Sequence, residues 1–216
     1  MTARAPETVL LDVGLGNLRS VERALRHALP GTSVRVTRDA EGLSPADTLV
    51  FPGQGAFGDA SRALGRDGGA LALALRAHLS NGGRYLGLCL GLQVLFDASE
   101  EAPGCPGLGV FPGSVLRFRE GLRDETGMTC KVPHVGWNKV TSARPHHAVT
   151  SDWYYFVHGY HVVPEDPSLV LATASHGEPF TAAVSRGNLL AVQFHPEKSA
   201  RAGLSLLRAF LSGAPS

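Results

Sequence analysis

The sequence predicts an α/β fold: an open, mostly parallel sheet flanked by helices, with antiparallel strands added in the second half. Three observations lead there. Through the first half, short apolar runs alternate with amphipathic segments, the pattern of βα units around a parallel sheet. From Gly109 onward the pattern changes to closely spaced β-rich runs with few helical stretches, as expected of antiparallel or mixed strands added to that sheet. The length of 216 residues suits one well-buried domain spanning 1–216 and is short for two.

In chain order, Thr8 to Val13 reads as a buried strand. The loop Gly14-Leu15-Gly16-Asn17 follows, then a helix whose Leu18, Val21, Leu25 and Leu29 share one face. Ser33 to Arg38 alternates as a second strand. Thr48 to Phe51 is a third, cut by Pro52-Gly53-Gln54-Gly55, because proline and glycine end a strand. An Ala- and Leu-rich helix from Ala70 to about Leu79 precedes a strand from Tyr85 to Leu88. In the second half Val115 to Phe118, Lys139 to Thr141, Trp153 to His158, Leu169 to Ala174, Thr181 to Arg186 and Leu189 to His195 read as strands. The polar stretch Glu120 to Thr129 reads as an exposed loop, and a helix from about Arg201 to Leu211 closes the pattern. Open parallel sheets bind ligands at the carboxyl ends of their strands, which is where the glycine-containing loops fall.

Composition excludes several classes. With 20 Lys plus Arg against 19 Asp plus Glu, there is no global field to recruit nucleic acid or an acidic membrane surface. Three cysteines without a C-x-x-C spacing make neither a disulfide framework nor a thiolate zinc site, which fits a reducing, cytoplasmic setting. The opening Met1-Thr2-Ala3-Arg4-Ala5-Pro6-Glu7 runs straight into a strand without an apolar leader, and no apolar stretch is long enough to span a membrane. Nine histidines invite a metal, yet His146-His147 are adjacent in a polar stretch, and His158 and His161 have no nearby carboxylate pair. Neither a metal nor a cofactor is expected. Gly14-Leu15-Gly16-Asn17 lacks the third glycine of a dinucleotide fingerprint and the Gly-Lys-Ser/Thr of a P-loop, so it does not read as a nucleotide site.

The segment Gly87-Leu88-Cys89-Leu90-Gly91-Leu92-Gln93 is the most informative. A cysteine flanked by glycines two residues away on each side, entered from a buried strand and left into a helix, has the shape of a nucleophile elbow. The sharp turn needs glycines beside it, and the positive end of the following helix would favour a thiolate. The alternative is a small buried hydrophobe, a common fate of free cysteine. A thiolate needs a base and a group to orient the base. Phe194-His195-Pro196-Glu197 supplies both: in an extended segment His195 and Glu197 point to one side, so the carboxylate can fix the imidazole tautomer. Acyl transfer also needs an oxyanion site, for which the Leu90 amide is the elbow's own donor and Gly53 can bring a second. An ordinary Pro-Gly turn is the alternative for the Gly53 loop.

The elbow, the Pro-Gly-x-Gly loop and His-Pro-Glu, in this order, resemble the triad-type (class I) glutamine amidotransferases. Pro133-His134-Val135-Gly136-Trp137-Asn138, Tyr155-Phe156-Val157-His158-Gly159-Tyr160, Glu178 to Val184 and Phe194 to Ser199 narrow the resemblance to the glutaminase subunits of imidazole glycerol phosphate synthase, from histidine biosynthesis. The resemblance implies that Cys89 attacks the side-chain amide of L-glutamine and forms a γ-glutamyl thioester, with His195 as base and then acid. Gly55, Gln93, His158, Gly159 and Tyr160 would hold the glutamine. The ammonia would pass to a cyclase subunit, a (β/α)₈ barrel docked through Asn17, Trp137, Asn138 and Lys198. Trp137 has its own argument, since an aromatic in a Gly-Trp-Asn turn is either a core filler or an interface anchor.

Some positions depart from the family pattern. Gln54 stands where valine is common, Gly159 where serine or threonine is common, and Leu92 and Val135 where methionine is usual. Gly159 removes a hydroxyl from the proposed glutamine site. Rival readings are the glutaminase of pyridoxal phosphate synthesis, a self-sufficient γ-glutamyl hydrolase, and a non-catalytic protein on the same fold.

Overall fold

In the computed structural model the described residues are 5–65 and 68–213. The reading of Met1 to Arg4 as leaderless lies outside them. Strands β1 (Thr8–Leu11) and β3 (Thr48–Phe51) are buried along their whole length, as strands covered on both faces must be. Helix α1 (Leu18–Ala28) lies between β1 and β2 (Val34–Thr37) in the chain; Asn17 caps it by accepting the Ser20 amide on its side chain. The buried stripe of α1 is Val21, Ala24, Leu25 and Ala28, while the expected Leu18 and Leu29 sit half-buried at its ends. Helices α2 (Phe57–Ala63) and α3 (Ala70–Ser80) lead to β4 (Arg84–Leu88).

The main sheet has nine strands in the order β2-β1-β3-β4-β12-β11-β10-β7-β8. The pairs from β2 through β12 (Leu189–Val192) are parallel. Beyond β12, β11 (Pro179–Arg186), β10 (Val170–Ser175), β7 (His134–Ser142) and β8 (Asp152–His158) continue it antiparallel. A second, three-stranded sheet joins β5 (Ala98–Ser99), β6 (Gly113–Arg117) and β9 (Tyr160–Pro164). The fold class therefore stands as the sequence predicts.

Alternate strand residues feed two cores, one on each face of the sheet. Leu10, Val50 and Leu86 join Val21 and Leu25 of α1 and Leu206, Leu207 and Phe210 of the last helix, α5 (Ala200–Leu211). Val9, Leu11, Leu49, Phe51 and Tyr85 pack with Phe57, Leu71 and Leu75 of α2 and α3. Each fully buried leucine or phenylalanine removed from water contributes about 1.5–3 kcal/mol, so this two-sided burial is what holds the strand ends rigid.

Several local expectations differ. The helix after the elbow, α4 (Leu90–Gln93), is a single turn. Its macrodipole is correspondingly small, so it contributes little to thiolate stability. Gly-Trp-Asn is no turn: it lies inside β7, which pairs with β8 from His134 to Val140. Among the described residues, no helix is long and apolar enough to cross a membrane, and no three His, Cys, Asp or Glu side chains gather as metal ligands.

Candidate active site

The elbow is built by strand register. β4 and β12 run parallel with Leu88 opposite Val192, and the Cys89 amide donates to Val192 O at 2.7 Å. Cys89 itself has φ 47° and ψ −96°, a conformation that costs a non-glycine residue on the order of 1–3 kcal/mol and persists only where its surroundings impose it. Those surroundings are glycines packed to the limit. A Cβ on Gly87 would lie 2.4 Å from Gly91 O, and one on Gly91 would lie 2.5 Å from Phe51 O. A Cβ on Gly53 would fall 1.9 Å from Leu88 O and 2.7 Å from Cys89 Cβ, so the Pro52–Gly55 loop touches Cys89. The buried Tyr85 hydroxyl pins the turn from below, donating to Gly91 O at 2.8 Å. Leu92 and Gln93 donate their amides to Cys89 O, and the amides before them, Leu90 and Gly91, open the first turn of α4.

His195 arrives from the end of β12. Its amide donates to Tyr155 O at 2.9 Å, and Ser199 Oγ donates to its carbonyl at 2.6 Å while accepting the Tyr155 amide. Nδ1 donates to Glu197 Oε1 at 2.8 Å. The sequence places these two side chains together by strand alternation, but the route is different: Pro196–Lys198 is one 3-10 turn, begun by proline and closed by Lys198 N–H to His195 O. Burial opposes charge on the ring, yet the sulfur of Cys89 and the Glu197 carboxylate outweigh it and raise the His195 pKa to about 10. The ring is therefore an imidazolium at neutral pH. Its Nε2 and the second oxygen of Glu197 are buried without a hydrogen bond.

A cavity of about 200 Å³ opens over Cys89. Gly53, Gly55, Leu90, Gln93, His158, Gly159 and Tyr160 all line it, while His195 and Glu197 do not. A Cβ at Gly159 would meet only Val132 Cγ1 at 3.6 Å and Pro133 Cβ at 3.9 Å, so packing does not demand glycine there. The opening loop braces this cavity from the side. A Cβ on Gly16 would lie 3.2 Å from Gln54 N, and Gly55 packs on the Leu15 side chain. Leu15 and Gly16 thus support the loop carrying Gly53.

Three lining or contacting residues are invisible to motif reading. Gln193, fully buried, donates Nε2 to Cys89 Sγ at 3.3 Å; it lies just past the end of β12, two residues before His195, where no motif marks it. Glu101 is the one carboxylate among the described residues lining the cavity and accepts the Phe57 amide at 2.7 Å. Val157 offers its carbonyl 3.9 Å from Sγ.

The four expected docking residues fall in two places, Trp137 and Asn138 on β7, and Asn17 and Lys198 by helix α1. Trp137 is 50% exposed and meets Tyr155 edge-on, with ring centroids 6.0 Å apart. Asn138 points to the other face of β7 and is bonded to Ser175 O and His134. Lys198 ends the turn that follows His195, beside Ser20 and Arg23 of α1, and the exposed Asn17 caps that helix. A groove of about 1190 Å³ runs along β7, and Met128, Val135, Trp137 and Trp153 expose apolar surface on it.

Comparison with known proteins agrees with this geometry. The sequence profile of the family glutamine amidotransferase class-I matches residues 9–213. The imidazole glycerol phosphate synthase subunit HisH of Aromatoleum aromaticum is 44% identical over 214 residues, 97% of this chain and 99% of that protein. The protein of the same name from Syntrophotalea carbinolica is 47% identical over 206 residues, 94% of this chain and 98% of its own. That from Dechloromonas aromatica is 45% identical with both chains covered completely. Among solved structures, a glutamine amidotransferase superposes with TM-score 0.69 at 21% identity, covering 95% of this chain and 97% of that one. The glutaminase domain of Trypanosoma brucei CTPS, solved with bound acivicin, gives 0.61 at 19% identity, covering 97% and 95%; both likenesses speak to fold alone. With the elbow, the profile match and near-complete coverage by these relatives together, the chain belongs to the class-I glutamine amidotransferase family and, within it, to the HisH subunits of imidazole glycerol phosphate synthase.

Proposed function

We propose that this chain hydrolyses L-glutamine through Cys89, His195 and Glu197 and hands the ammonia to a cyclase subunit that makes imidazole glycerol phosphate. The observation that carries the reading is an imposed cysteine elbow and a glycine loop meeting on one small cavity, with a buried histidine paired to Glu197 and acting on the Cys89 sulfur from outside that cavity. Family membership supplies the substrate. Glu101 offers a carboxylate for the α-ammonium group of an amino acid. Both amide protons of Gln93 are committed, to Tyr160 O and to Gln193 Oε1, so its own oxygen is what it can present to a ligand.

The chemistry follows from these positions. The Cys89 sulfur adds to the side-chain amide carbon, and the oxygen that becomes negative is met by the Leu90 and Gly53 amides. Donors fixed in a dry site in this way are worth roughly 10²- to 10³-fold in rate each. His195, already protonated, gives its Nε2 proton to the departing nitrogen, and ammonia leaves the γ-glutamyl thioester. The ring, now neutral, takes a proton from water as the water attacks the thioester, and glutamate is released. Glu197 keeps Nδ1 protonated throughout, so Nε2 remains the nitrogen that exchanges protons.

Ammonia released into neutral water becomes ammonium and loses its nucleophilicity, so the product calls for a partner seated over the site. The exposed apolar residues on β7 and β8, together with Asn17 and Lys198 by α1, suit the face of a (β/α)₈ barrel cyclase, with no cofactor on the glutaminase side. The setting is the cytoplasm. The test is glutamine turnover by the purified chain alone and after addition of the cyclase with its nucleotide substrate. Low turnover alone and a large rise in the complex are expected. Full turnover by the isolated chain would instead make it a self-sufficient hydrolase.

A further inference from the structure

A chain of hydrogen bonds joins the β7 groove to the catalytic sulfur, and the direction of every link is fixed. Asn138 Oδ1 accepts the Lys139 amide at 2.7 Å, so Nδ2 is the group facing Ser175 O at 2.7 Å and His134 Nε2 at 3.2 Å. An amide nitrogen only donates. His134 Nε2 therefore accepts, and the proton of the neutral ring sits on Nδ1. That proton is directed at His158 Nε2, 3.1 Å away, which places the His158 proton on Nδ1, 2.8 Å from Tyr160 O. The same carbonyl accepts from Gln93 Nε2 at 3.2 Å, and the second Gln93 proton goes to Gln193 Oε1 at 3.3 Å. Gln193 Nε2 donates to Cys89 Sγ at 3.3 Å.

Both rings are held in the required form. Burial lowers the His158 pKa well below the ordinary range and that of His134 to about 3, so both are neutral at pH 7. His134 is sandwiched between Phe156, at a 4.9 Å centroid distance, and His176, at 4.2 Å. His158 packs against Phe118 and Phe180, each at 5.3 Å. A ring so confined cannot turn without moving its neighbours, so a displacement at one end of the relay is passed on.

We propose that Gln193 is the positioning residue of the nucleophile, and that Asn138, His134, His158, the Tyr160 carbonyl, Gln93 and Gln193 form a relay through which the β7 groove sets the sulfur. Gln193 Nε2, fully buried and 3.3 Å from the sulfur, is a directed donor to it from the side of the relay. A donor there stabilises the thiolate more than the thiol. Asn138 follows Trp137 on β7, so a partner that shifts the strand reaches Sγ without entering the glutamine cavity. The assignment of a benefit to catalysis rests on the glutaminase reading. The relay itself does not.

The test is the pH dependence of Cys89 alkylation by iodoacetamide, read by mass spectrometry in a chain with Cys105→Ser and Cys130→Ser. Gln193→Met, similar in size but without a donor, is expected to slow alkylation at pH 7 roughly threefold to tenfold, the size of one hydrogen bond, and to move the profile to higher pH. Asn138→Leu, remote from the cavity, is expected to move it the same way by less. In the complex with the cyclase, both variants should lower kcat for glutamine with little change in KM. An unchanged profile in a folded Gln193→Met would overturn the positioning role, and an unchanged profile in Asn138→Leu would overturn the relay. Should Gln193→Met unfold, Gln193→Asn withdraws the donor while keeping the amide and decides the same point. Alkylation needs no glutamine, so a wild-type complex that hydrolyses none would sink the functional reading and leave this result standing.

Discussion

At His195, burial alone would drive the ring neutral, and two neighbours reverse the sign. The Cys89 sulfur and the Glu197 carboxylate hold the charged form to about pH 10, against 6.5 for an ordinary histidine. A group with a raised folded-state pKa stabilises the fold fully below its unfolded value and loses that contribution as pH rises through the folded one. His195 should therefore add a stability increment that is complete below pH 6.5 and disappears by about pH 10. Replacing Glu197 with Gln keeps the shape and removes the anion. It should flatten the fall in melting temperature between these limits and lower kcat by roughly 10²-fold or more, the scale of a lost acid–base partner. A variant with the wild-type melting profile and wild-type kcat would remove Glu197 from the mechanism.

Among the elements, the decisive relation is between the loop after β3 and the end of β4. Gly53→Ala places a Cβ 1.9 Å from Leu88 O, a contact with backbone that cannot yield cheaply. The loop must move, carrying the Gly53 amide off its place; a loss of roughly 10²- to 10³-fold in kcat is expected at a nearly unchanged KM. Wild-type turnover would mean that this amide is not an oxyanion donor. The same elements explain how much of the fold is legible in the sequence. Thr48–Phe51 and the parallel strands are apolar runs cut by glycine and proline, a pattern that needs no tertiary information. β9 is hidden because Tyr160 follows almost directly on the end of β8, inside the His158-Gly159-Tyr160 motif. The long β7 is hidden because Gly136 interrupts its alternation and suggests a turn. α2 carries no side-chain cap, and Phe57 gains its partner from distant Glu101. Gln193 acquires meaning only when β12 is laid beside β4, since strand register, not local sequence, sets it against Cys89.

Across the whole molecule, the parallel half and the antiparallel extension meet at β12, and the site lies where they meet. Cys89 comes from the parallel half. His195, Glu197 and the β7–β8 face come from the chain's later part, so anything seated on that face bears on the thiol's surroundings. Trp137 should be an anchor of that seat. Because it is half-exposed, Trp137→Ala should leave the isolated chain's melting temperature nearly unchanged while weakening cyclase binding by about 2 kcal/mol, some thirtyfold, as read by titration calorimetry. Unaltered affinity would move the interface elsewhere. The central claim is that Cys89 performs one half of a divided reaction, and the direct measurement is imidazole product formation by the reconstituted complex with Cys89→Ala. Product made from glutamine should fall to background while product made from added ammonium salt continues at the wild-type rate. Equal glutamine-dependent rates for wild type and Cys89→Ala would contradict the account.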